Sequence, residues 1–126
     1  MTIDEFKTRI ERAWCLETCY SGDRASWSID RPSTGQCTVT AMLFYDYFGG
    51  QIIRGKNLEY NIIHYWNRVD GEEIDLTFQQ FLPEKRNIVF SSTRIVDKSI
   101  LMRISSVRKR YDLLKRRFED PRNNLR

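Results

Sequence analysis

One histidine, His64, and three cysteines, Cys15, Cys19 and Cys37, are the scarce reactive residues of this 126-residue chain. An odd number of cysteines at irregular spacing is no disulfide framework. With His64 they number four, which suits zinc, but the spacings match no zinc knuckle or ribbon, so no metal and no cofactor is expected. No apolar run is long enough to span a bilayer. The start, Met1 to Phe6, lacks the basic and apolar regions of a signal peptide. A cytoplasmic protein without a membrane partner is the expectation. Internal repeats and low-complexity segments are absent as well.

What is present points to a folded unit. Hydrophobic residues make up 40% and aromatic residues 13% of the chain. That argues against disorder, and a chain of this length buries a core without staples. Residues 1–126 therefore read as one domain. The net charge of +4 is uneven, because Arg and Lys crowd the stretch from Arg103 to Arg126. Such a tail attracts nucleic acid or acidic partners. A charge run is more often a solvated helix face.

Hydrophobic spacing and turn residues divide the chain. Thr2 to about Tyr20 reads as an amphipathic helix opened by a Thr2/Glu5 capping box, with Ile3, Phe6, Ile10 and Ala13/Trp14 on one stripe. On such a helix Cys15 and Cys19 share a face. Ser21 to Thr34 reads as a loop, with Trp27 either anchoring it or lining a groove. Gln51–Arg54 and Tyr60–Val69 read as strands, with Gly55–Glu59 a loop between them. Asp70-Gly71 is a two-residue hairpin signal, and Glu72–Phe78 the return strand. Gln79 to Pro83 reads as a turn, and Asn87 to Val96 as one or two further strands. From Asp97 the apolar positions Ile100, Ile104, Val107, Tyr111, Leu114 and Phe118 recur at helical steps. Arg110 and most other basic residues fall on the remaining faces. Pro121 ends that helix, and Arg122–Arg126 is expected to fray.

The chemistry concentrates around Gly35-Gln36-Cys37. Thr34 is placed to cap a helix that runs through the apolar residues Val39 to Phe48 and stops at Gly49-Gly50. Within that helix Asp46 needs a partner, an Arg or a hydroxyl, in a structural role. Cys37 then sits in a first turn, where free N–H groups and the helix dipole stabilise a thiolate or hold an oxyanion. A nucleophilic thiol needs a base, and the base needs an orienting group. If Val69 pairs with Glu72, counting back sets Trp66 opposite Asp75 and His64 opposite Thr77. His64, Trp66, Asp75 and Thr77 then share one sheet face. Asp75 lies diagonal to His64, and Thr77 is placed to bond the ring. Asn67 and Asp70 fall on the other face or in the turn.

An ordered set of motifs runs along most of the chain: Trp14, Glu17 and Thr18, then Trp27-Ser28, Gly35-Gln36-Cys37-x-Val39-Thr40-Ala41 and Phe48-Gly49-Gly50. It continues through His64-Tyr65-Trp66-Asn67, Asp75-x-Thr77, Gln80-Phe81 and Arg110-Tyr111. In these motifs the chain resembles the YunG-like family of small bacterial proteins. The order Cys, His, Asp is similar to that of papain-like and transglutaminase-like thiol enzymes. It implies an α+β fold, a Cys-bearing central helix packed on an antiparallel sheet and flanked by N- and C-terminal helices. It further implies a thiol-dependent acyl-transfer enzyme acting on an amide or acyl substrate, with Cys37, His64 and Asp75 catalytic. Gln36, Trp27 and Trp66 are the candidate substrate-binding residues. Papain-like enzymes carry an oxyanion-hole Gln several residues before the nucleophile, where this chain has Arg31. Transglutaminase-like enzymes often carry Trp beside the nucleophile, where it has Thr38. The alternative is a non-catalytic binding protein on the same scaffold, contacting a partner or nucleic acid through the basic C-terminal helix.

Overall fold

The computed structural model describes residues 1–124. The fold is α+β. Its antiparallel four-stranded sheet is built from β1 (Gln51–Asn57), β2 (Ile62–Val69), β3 (Glu72–Ile74) and β4 (Ser91–Val96). The strand order is β3-β2-β1-β4. Among the described residues four α-helices accompany it: α1 (Ile3–Ala13), α2 (Cys37–Phe48), α3 (Lys98–Met102) and α4 (Ser105–Glu119). No helix among the described residues is long and apolar enough to cross a membrane.

α1 begins as its sequence dictates, with the Thr2 hydroxyl accepting from the Glu5 N–H and the Glu5 carboxylate accepting from the Thr2 N–H. It is shorter than the expected Thr2–Tyr20. Trp14 turns extended and sends its indole N–H to the Thr40 hydroxyl at 2.9 Å. The Thr18 hydroxyl takes the Cys15 N–H and donates to the Cys15 carbonyl, a local bond that competes with the helix. A short 3₁₀ turn, Leu16–Thr18, follows, so Cys15 and Cys19 do not share a helical face. The segment expected to be a plain loop contains a 3₁₀ turn at Ser21–Ser26 and a bridge between Ser28 and Arg31.

α2 is the centre of the core. Val39 to Phe44 are all buried, and Gly49 at φ 70° ends the helix. Gln36, not Thr34, is the N-cap, and its side chain does not bond the first turn. The helix packs on β1 and β2 on one side and on α4 on the other. The Phe6 ring meets Phe44, Phe48 and Phe118 at centroid distances of 5.4, 5.6 and 4.8 Å. Asp46 takes both the Lys98 ammonium, at 2.6 Å, and the Tyr111 phenol. Its partners are thus a lysine and a hydroxyl.

In the sheet, β1 runs on to Asn57 through the expected loop, and β2 starts at Ile62. Asp70 and Gly71 both have positive φ, 51° and 81°, as a tight hairpin of this type requires. Val69 pairs with Glu72 as counted, but the ladder stops at Asn67–Ile74. The return strand does not reach Phe78, so the expected pairs Trp66–Asp75 and His64–Thr77 do not form. Asp75 explains the early exit. Its Oδ1 accepts from the Thr77 N–H at 3.2 Å and faces the Thr77 hydroxyl at 3.3 Å, a side-chain turn that replaces ladder bonds.

The C-terminal helical pattern is two helices, not one. The break falls at Arg103–Ile104, so Ile100 and Ile104 are exposed, contrary to expectation. Val107, Tyr111, Leu114 and Phe118 are buried as expected, and Arg110 is buried with them instead of facing solvent. Pro121–Asn124 forms a 3₁₀ turn instead of fraying. Asn123 bonds the carbonyls of Arg9 and Arg117. Residues 125 and 126 of the expected frayed tail lie outside the described residues.

Candidate functional site

Three separate pieces of chain bring Cys37, His64 and Asp75 together. Cys37 is the first residue of α2 and is part-buried. His64 stands on β2, opposite Gly55 of β1, and is 1% exposed. Asp75 lies just past β3, and its Oδ2 is 2.7 Å from His64 Nε2. The diagonal reach expected from the hairpin is therefore realised through the Asp75 turn rather than through a longer strand. Oδ1 shapes that turn and Oδ2 holds the ring. Thr77 bonds Asp75 and not the imidazole.

Because β3 ends at Ile74, nothing of β3 pairs with β2 at His64 and Tyr65. The start of α2 reaches β2 there, and the Cys37 thiol feels both the His64 ring and the Tyr65 main chain. With Nε2 on Asp75, the ring nitrogen left for Cys37 is Nδ1, which is buried and has no hydrogen bond of ordinary geometry. Burial pushes the Cys37 thiol pKa up. Hydrogen bonding and charge from His64, with help from the Tyr65 main chain and the Thr38 hydroxyl, bring it below the ordinary thiol value. Burial likewise works against the imidazolium, but Asp75 and the Cys37 thiolate raise His64 from 6.5 to about 9. The pair is thus balanced towards thiolate and imidazolium. Cys19 behaves oppositely, since burial and the nearby Asp23 push it up to about 11.

The imidazole sits in an aromatic box. Phe90 stacks on it at 5.0 Å, Phe81 meets it edge-on at 4.9 Å, and Trp66 lies alongside at 5.7 Å. Gly55 makes room for this box, because a Cβ there would lie 2.6 Å from the Trp66 ring and 2.9 Å from Phe90 Cβ. Gln80 ties two parts of the site together. Its Oε1 accepts from the Gly35 N–H at 3.2 Å, two residues before the thiol, and its amide donates to the Thr77 carbonyl at 3.1 Å.

The remaining predicted residues are more dispersed. Gln36 is fully buried and donates to the Cys15 carbonyl at 3.0 Å, while its Oε1 is buried without a partner. Trp27 is half-buried and anchors its loop through a bond to the Pro32 carbonyl at 3.0 Å. Trp66 flanks His64, with its indole N–H 3.3 Å from Glu73. Asn67 faces the other way and donates to the Ala41 carbonyl of α2. Among the described residues no group of three or more His, Cys, Asp or Glu gathers as a metal site. The contributions of Gln80 and Phe81 escaped the reading by periodicity, although both stand in the motif set quoted above. Phe90, in a segment with no clear pattern, offered no signal.

Comparison with known proteins agrees with those motifs. The family model described as YunG protein matches residues 2–123. The "Uncharacterized protein YunG" of Bacillus subtilis (strain 168) is 34% identical over 77 residues, which is 55% of this chain. The match spans 65% of that relative's length. No solved structure matches the chain. A family match over nearly every residue, carrying Cys37, His64 and Asp75 within it, means that this chain belongs to the YunG family.

Proposed function

We propose that this protein is a thiol-dependent acyl-transfer enzyme, an amide hydrolase or deamidase, on a papain/transglutaminase-like core. The observation that carries the reading is the His64 ring, with Asp75 on one nitrogen and the other left for a thiol of lowered pKa at a helix start. Among the described residues no side chain caps α2, so its first N–H groups are not taken up by a cap. In the proposed reaction the Cys37 thiolate attacks the carbonyl carbon, and the C=O pair moves onto oxygen. The first-turn N–H groups of α2 hold that oxyanion. Collapse breaks the C–N bond, and the leaving amine takes the proton from His64 Nδ1. Water then attacks the thioester, giving a proton to His64. Breaking the C–S bond releases the acid and restores the thiolate. Asp75 keeps the ring oriented throughout. Trp27 and Trp66 are the side chains proposed to meet substrate; Gln36, fully buried and bonded to the Cys15 carbonyl, offers only its main chain. Free thiols at all three cysteines suit the reducing cytoplasm proposed for it.

The experiment is alkylation by iodoacetamide against pH, read at each cysteine by mass spectrometry. Cys37 should reach half-maximal rate below the ordinary thiol pKa of about 8.5. Cys19 should lag, with its pKa near 11. His64→Ala should move the Cys37 midpoint up. A midpoint unchanged by His64→Ala rejects the catalytic pair and leaves the binding-protein reading in front.

A further inference from the structure

A cavity of about 320 Å³ opens between the segment Glu17–Arg24 and the exposed side of α4. Its wall carries four cations, Arg24, Lys109, Arg110 and Arg116, against one carboxylate, Glu17. Among the described residues none of the four forms an ion pair, whereas Arg31, Arg68 and Arg122 each hold a carboxylate within 2.9 Å. Gathering four like charges around a single carboxylate is unfavourable.

Arg110 is the unusual member. It is only 8% exposed. Its one hydrogen bond among the described residues is a long one, 3.5 Å to the Thr18 carbonyl, and its guanidinium lies 5.8 Å from the centre of the Tyr20 ring. A guanidinium has five N–H donors, and a buried charge is normally paired. Asp23 is near enough to feel Arg110 but does not bond it. Polar donors of a buried arginine are therefore left for something in the cavity. The same guanidinium interacts electrostatically with the thiols of Cys19 and Cys37.

We propose that this cavity binds the anionic group, carboxylate or phosphate, of a small ligand. Arg110 supplies a planar fork at its base and Arg24, Lys109 and Arg116 ring its mouth. The fork matches a two-oxygen face bidentately, which a lone ammonium does not. The volume is of the order of the smallest pockets that enclose a ligand, about 300 Å³. The site needs no reactive thiol. Its test therefore uses Cys37→Ser protein, so that failure here and failure of the acyl-transfer reading are separable.

Inorganic phosphate and succinate are titrated in turn by calorimetry at fixed low ionic strength. Saturable one-site binding of at least one is expected, and the tighter of the two identifies the preferred anion. Arg110→Gln should weaken it at least tenfold. Arg24→Gln combined with Arg116→Gln should weaken it several-fold, and both side chains are exposed, so that variant keeps its fold. Arg94→Gln, exposed on β4, is the control and should bind like the parent. Absence of saturable binding by both anions overturns the proposal. So does a double variant that binds like the parent, or a loss in Arg94→Gln as large as in the double variant.

Discussion

His64 is the chain's only histidine, so its titration is visible without assignment. In protein labelled with ¹³C at histidine, the single ring Cε1–H resonance should titrate near pH 9 rather than at 6.5. Asp75→Asn keeps the shape of the side chain and removes its charge. A hydrogen bond to a charged group contributes roughly 1.5–3 kcal/mol. At about 1.36 kcal/mol per pH unit, its loss should lower the midpoint by about one to two units. The Asp75→Asn midpoint should then fall at roughly 7–8, still held up by the Cys37 thiolate. Wild-type protein titrating at or below 6.5 refutes the reasoning, and so does an Asp75→Asn midpoint equal to the wild type. Stability is a poorer reporter of the same pair. The raised His64 stabilises the fold below pH 6.5 and loses that contribution as pH rises through about 9. The lowered Cys37 stabilises it at high pH and loses that contribution as pH falls through its folded value. Above the folded Cys37 value and below about 9 the folded pair holds one proton, on the imidazole. The unfolded pair also holds one, on the thiol, between the free histidine and free cysteine values, so where those ranges overlap the pair adds little pH dependence to stability.

Three other substitutions probe the frame around the site. Tyr111→Phe deletes the phenol that donates to Asp46 and should lower stability by about 1.5–3 kcal/mol in urea unfolding. Phe6→Ala opens a hole among Phe44, Phe48 and Phe118 and should cost about 3–5 kcal/mol by the same measurement. Gly55→Ala forces a Cβ against Trp66 and Phe90, and overpacking of this kind costs about 1–3 kcal/mol. It should also shift the His64 resonance, because both rings lie on the imidazole. An unmoved resonance would show that the box tolerates a methyl group at residue 55.

Local chemistry made much of the site legible. Asp70-Gly71 fixed Val69 against Glu72, and Gly49-Gly50 marked the end of the Cys37 helix. What periodicity missed was competition from individual side chains. Thr18 captures the Cys15 N–H and helps end α1, and Asp75 captures the Thr77 N–H and ends β3. Both are polar residues inside runs that otherwise fit a regular element. Arg110 was misplaced for another reason. Spacing along α4 says which positions share a face, not that the Thr18–Tyr20 segment covers Arg110. Phe90 joins the imidazole from far along the chain, and no one-dimensional pattern announces such a contact.

The clasp between the first and last helices sets an order of events during synthesis. Arg9 reaches the Phe118 carbonyl and Arg117 reaches the Ala13 carbonyl, across 109 and 104 residues. The hairpin that joins His64 to Asp75 spans only 11. Closing short loops is fast and closing long ones is slow. On the ribosome, then, the His64–Asp75 hairpin can form while α4 is still being made. α1 emerges first yet has to wait for the last helix before Phe6 gains its contact with Phe118. Until then only α2, through Phe44 and Phe48, is there to cover its apolar stripe, and that interval is when a nascent chain is most exposed to chaperones and to its neighbours on a polysome.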